Sequence, residues 1–182
     1  MTLYHILILT SSVHAASIPS AVLQIPLHFE QNQGQAPERI KYLSRGPGYS
    51  VLLEGSGATL QLPDAAIRMR LNRANPHPAI SSEKEMEGKV SYFRGADPSR
   101  WTKCAPTFEC VRYSAVYPGI DLVYHGRQPQ LEYDFEISPG ADPRTIELQF
   151  DGAKRLRVDS NGDFILVFRG RELRQHKPGS TN

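Results

Sequence analysis

Apolar and polar residues alternate in short runs along most of this chain, and glycine or proline punctuates the runs. IKYLSR, YSVLLE and ATLQL are separated by Arg45-Gly46-Pro47-Gly48 and Glu54-Gly55-Ser56-Gly57. In AIRMRLNR, Ile67, Met69 and Leu71 alternate with Arg68 and Arg70, which predicts a strand with one apolar and one basic face. The second half is more regular. FECVRYS, YPGIDLVYHG, QLEYDFEIS, TIELQF, KRLRV, DFILVF and RELRQ follow one another with turn signals such as Tyr117-Pro118-Gly119, Pro139-Gly140 and Asn161-Gly162 between them. No stretch long enough for a helix carries the 3.6-residue period. The predicted fold is all-β, an antiparallel β-sandwich of many short strands.

Two segments depart from this pattern. Residues 74–88 are polar and broken by proline, which predicts a long mobile surface loop. DPSRW predicts one helical turn, with Asp97 as cap and Pro98 at the first helical position. VLQIPLHF at 22–29 carries Pro26 and reads as an edge strand or strand start.

The beginning of the chain changes the picture. Leu3 to Leu9 is apolar, small polar residues follow, and Val13 and Ala15 sit at the −3 and −1 positions of a cleavage site. Residues 1–16 therefore read as a signal peptide, although the segment before the apolar run has no lysine or arginine; the same string also suits a first strand over Tyr4–Leu9. Residues 17–182 then form a single β-rich domain, secreted or at the cell surface. No segment reaches the roughly 20 apolar residues that a helical membrane span needs.

The formal charge of +2 is too small to imply a polyanion partner by itself, and a nucleic-acid partner is not expected. Positive charge gathers between Lys154 and Lys177, a tail that reads as a solvated strand face or as a contact for phosphate or an acidic glycan. The two cysteines, Cys104 and Cys110, leave two readings open. On a straight strand they stand about 20 Å apart, whereas a reversal at Ala105-Pro106 would bring them into disulfide reach.

Candidate chemistry is sparse. In Leu131–Ile137 the alternation places Glu132, Asp134 and Glu136 on one face, with neighbours about 7 Å apart. That spacing suits a glycosidase-like acid pair or a ligand contact, and equally a solvated strand paired with arginines. Asp159-Ser160-Asn161-Gly162-Asp163 begins like a calcium loop but continues with Phe164 at its sixth position, so it reads as a hairpin turn. His28, His77, His125 and His176 are scattered, and Trp101 reads as a core anchor. No metal site or cofactor motif is expected, and no catalytic motif is found.

FEQNQGQ at 29–35, YLSRGPGYSVLL at 42–53, YPGIDLVYHG at 117–126, QLEYDFEISPGADP at 130–143 and QHKP at 175–178 together resemble an exported bacterial domain of unknown function. That domain typically stands in front of SBBP-type β-propeller repeats. The resemblance implies a β-rich surface module beside a propeller and supplies no catalytic residues. It also implies further strands beyond the Lys-Pro pair, which a chain ending at Asn182 would lack. The expected function is a non-catalytic extracellular module for adhesion, scaffolding or glycan contact. The alternative is a glycan-acting hydrolase using the carboxylates of the 131–137 strand.

Overall fold

The computed structural model describes residues 2–6, 9–10, 27–46, 48–127, 130–175 and 179–181. The first strands in chain order are β1 (Thr2–Ile6), β2 (Leu9–Thr10), β3 (Phe29–Gln31), β4 (Ile40–Gly46), β5 (Tyr49–Glu54), β6 (Gly57–Gln61) and β7 (Ala66–Leu71). The long strands β8 (Ala79–Tyr92) and β9 (Thr102–Tyr117) follow, then β10 (Ile120–Arg127) and β11 (Gln130–Ile137). The last are β12 (Leu148–Asp151), β13 (Arg155–Val158), β14 (Phe164–Phe168), β15 (Arg171–Gln175) and β16 (Gly179–Thr181). Every recorded pairing is antiparallel. The fold is all-β.

A 12-stranded sheet runs β12-β7-β6-β5-β4-β3-β9-β10-β11-β1-β16, and a 4-stranded sheet runs β13-β14-β15-β2. β9 joins the halves of the larger sheet. One of its edges meets β3 at Phe108 and Thr107 and meets β10 from Cys110 to Tyr117. β8 lies along the other edge.

Period two explains what fills the core. Val51, Leu53, Leu60, Ile67 and Met69 point inward from β5–β7, and Val111, Tyr113, Leu122, Tyr124, Tyr133 and Phe135 do so from β9–β11. Leu166, Phe168 and Leu173 of the smaller sheet complete the cluster. Burying each such side chain contributes about 2–3 kcal/mol. Tyr113, Tyr124 and Tyr133 form a row across three strands, with ring centroids 5.5 and 6.1 Å apart. The Tyr133 hydroxyl accepts a hydrogen bond from Gln175, which ties the two sheets together. Two glycines permit close backbone approach: a Cβ on Gly57 would stand 2.1 Å from the Met69 carbonyl oxygen, and one on Gly152 would stand 2.2 Å from that of Ala66. The space between the sheets, lined by Val51, Leu60, Tyr124 and Leu166 among others, is about 30 Å³ and water-sized.

Three expectations need correction. The predicted loop over 74–88 is largely strand, because β8 pairs with β9 from Ala79 to Tyr92. Its residues are half or fully exposed on both faces, so no apolar face had to be written into the sequence. Nor are all strands short, since β8 has 14 residues and β9 has 16. The Ala105-Pro106 reversal is also absent. Both residues lie within β9, and Pro106 sits opposite Lys89 beside a register irregularity, where a missing donor is tolerated. Cys104 is exposed, Cys110 is buried, and both are free thiols. A thiol reagent is therefore expected to modify Cys104 alone in the folded protein and both residues after unfolding. Native protein that labels at neither position would restore the disulfide.

Several other expectations hold. Asp97 and Pro98 open a 3-10 turn over Pro98–Arg100. Asp159–Asp163 is a hairpin turn between β13 and β14, and Arg174 binds both of its aspartates. On the basic face of the C-terminal strands Arg157 pairs with Glu172 and Arg171 with Asp64. Residues 2–6 run antiparallel to β11, with Tyr4 opposite Phe135. The expected cleavage site at Ala15 or Ala16 lies outside the described residues, as do residues 22–26 and 176–178. Among the described residues no helix is long and apolar enough to cross a membrane.

Candidate functional site

Strand alternation puts Glu132, Asp134 and Glu136 together on the face of β11 opposite the core. Neighbouring strands supply their partners. Register sets His125 beside Glu132 and Cys110, and sets Val123 between Asp134 and Arg112. Arg112 donates to Glu136 through two nitrogens, at 2.6 and 3.2 Å, to Asp121 at 3.2 Å and to Glu83 of β8. Glu136, then Glu83, push the guanidinium pKa still higher, so Arg112 stays charged throughout. Asp134 lies 2.7 Å from His125 Nε2, close enough for an ion pair although not aligned as a hydrogen bond. Burial disfavours the imidazolium, but Asp134 and then Cys110 outweigh it and raise the His125 pKa to about 9.

The sequence-predicted carboxylates are thus brought together, but as a partly desolvated charge network. Glu132 and Asp134 are 6% and 5% exposed, which separates them from a solvated strand face. Asp134 and Glu136 each carry a cationic partner, so they do not stand as a free acid and base. Neither the space between the sheets nor the open groove beside residues 31–42 is lined by any of the three.

A second constellation lies at the tip of the β8–β9 hairpin. Trp101 is no core anchor. It sits at the hairpin end with its ring edge-on to Phe93, at 5.2 Å and 89°, and Phe93 is 64% exposed. Asp97 builds the tip by accepting hydrogen bonds from the Ser99 amide at 2.9 Å and the Ser99 hydroxyl at 2.7 Å. The Trp101 amide then donates to the Pro98 carbonyl, and its indole N–H donates to Gly95 at 3.1 Å. Cations surround the rings. Arg45 and Arg94 lie 5.2 and 5.3 Å from the Tyr92 ring centre, and the Lys103 ammonium lies 5.7 Å from that of Trp101. The Tyr92 hydroxyl donates to the buried Glu30, and burial followed by that bond raises its pKa.

The comparisons with known proteins add a family. Residues 29–181 match the family described as Domain of unknown function (DUF7948). The chain belongs to this family. No curated protein and no solved structure matches it.

Within the DUF7948 domain, the FEQNQGQ run has a structural task. The Asn32 amide nitrogen donates to the carbonyls of Ala36, Pro37 and Ile40, and its oxygen accepts from the amides of Gly34 and Ala36. Gln35 closes the loop by donating to the Gln31 carbonyl at 2.7 Å and accepting from the Gln33 amide. This loop walls an open groove of about 580 Å³, whose other side includes Pro78 and Ile80. The side-chain amides of Asn32 and Gln35 are thus engaged in holding the loop.

Proposed function

We propose that this DUF7948 domain is a non-catalytic module, exported to the cell surface or medium, that contacts a glycan or other surface polymer beside β-propeller repeats. The observation that carries the reading is the hairpin tip, where the exposed Phe93 packs against a half-buried Trp101 beside cations and a capped turn. An exposed ring alone is ordinary. Rings fixed by capping hydrogen bonds and flanked by cations have a recognition surface's composition. The charge network on β11 supports the same reading, because Asp134 and Glu136 are committed to His125 and Arg112. The likeness to an exported domain supports the location.

The expected result is retention of the purified chain on insoluble cell-wall polymer or immobilised glycan, with no release of reducing ends on prolonged incubation. Absence of retention on every polymer and cell surface tried would overturn the binding role. Release of reducing ends would turn attention back to the carboxylates of β11.

A further inference from the structure

We infer that the β8–β9 hairpin tip is the contact site, and that its partner is an acidic polysaccharide. This rests on the polymer-binding role proposed above and names its site and ligand class.

The charge balance at the tip points to an anion. Among the described residues, no carboxylate pairs with Arg94, Arg100 or Lys103. The two nearby acids are already engaged. Asp97 holds Ser99, and Glu30, 2% exposed, takes the Tyr92 hydroxyl and lies 3.6 Å from Arg45. Many arginines elsewhere are paired, such as Arg68 with Glu54, Arg70 with Asp151 and Arg112 with Glu136. The tip therefore keeps net positive charge, three cations against the ionised Asp97, beside the exposed Phe93 and the half-buried Trp101.

The rings select among anions. A pyranose offers a flat face of C–H groups, which packs on an aromatic ring, and a uronate or sulfate ester on the same sugar reaches a neighbouring guanidinium or ammonium. Phe93 and Trp101 supply the rings, Lys103 lies 5.7 Å from the Trp101 ring centre, and Arg94 and Arg100 stand next to the two rings in the chain. A polynucleotide instead draws its affinity from many phosphate contacts. The formal charge of +2 and the edge-on rings fit that demand poorly.

The test is affinity electrophoresis of the purified chain in gels containing polygalacturonate, heparin, dextran or poly(U), with phosphatidylglycerol vesicle flotation beside it. Retardation is expected in polygalacturonate and heparin, weakening as salt rises. Phe93→Ala with Trp101→Ala should weaken it about tenfold. Arg94→Gln with Arg100→Gln and Lys103→Gln should do the same, whereas Arg169→Gln, on the distant β14–β15 turn, should change nothing. The charge variant keeps both rings, so the inference stays testable if the ring variant folds poorly. Retardation in acidic polymers that survives both tip variants would overturn the site. Retention by dextran alone, or stronger binding to poly(U) or vesicles, would overturn the ligand class while leaving a surface-binding role. Failure to bind any of them would count against the proposed function itself.

Discussion

Replacing Arg112 by methionine is expected to lower the unfolding free energy by about 3 kcal/mol. The side chain is 22% exposed and reaches Glu83, Asp121 and Glu136, so one guanidinium links β8, β10 and β11 to its own strand β9. Methionine fills similar volume, so the loss is electrostatic, not a cavity. It leaves carboxylates from three strands close together without a counter-charge. Removing one partner of a buried pair costs about 3–5 kcal/mol, and the lower end applies because Glu83 and Asp121 are 39% and 34% exposed. For a chain of this size the melting temperature should fall by roughly 6–12 °C. Adding Glu136→Gln to the Arg112→Met protein should recover part of the loss by removing a like charge. Denaturant titration of both variants checks this. A loss under about 0.5 kcal/mol, the range of exposed pairs, would show the network to be solvated.

Much of the fold is legible in the sequence, for a physical reason. From Phe108 to Gln175 most strands have one face on the core, so burial imposes period two, and turn residues mark the ends. β8 escapes this logic. Lying beside β9 with solvent on both faces, it needs no apolar alternation, and its polar, proline-flanked sequence looks like a loop. The length of β9 is hidden similarly, because Pro106 reads as a break when local irregularity in fact accommodates it.

The carboxylate face was half legible. Alternation in LEYDFEI puts Glu132, Asp134 and Glu136 on one side, but their partners arrive from other strands through pairing register. Sequence spacing holds no record of that register. The hairpin tip was hidden for another reason. A lone tryptophan reads first as a core anchor, and only the fold shows Trp101 beside Phe93. One signal was available: FRGADPSRWTK sets rings and cations around a capped turn whose only acid is the cap.

His125 should give the protein a stability that declines in mild alkali. Its unfolded-state pKa is near the ordinary 6.5, and in the folded protein Asp134 and Cys110, against the opposing effect of burial, hold it at about 9. The folded state therefore favours the imidazolium. The stabilisation is complete below pH about 6.5 and is lost as the pH rises through about 9. The full shift corresponds to about 3 kcal/mol, and partial solvent access around a side chain 26% exposed reduces this to about 2 kcal/mol. Unfolding free energies measured between pH 6 and pH 9.5 should fall by that amount. His125→Gln should flatten the decline, and Asp134→Asn should remove most of it by taking away the stronger of the two attractions. Cys110→Ala should keep the larger part, since the thiol contributes after the carboxylate. An NMR titration that places the His125 midpoint at or below 6.5 would mean that burial outweighs the ion pair.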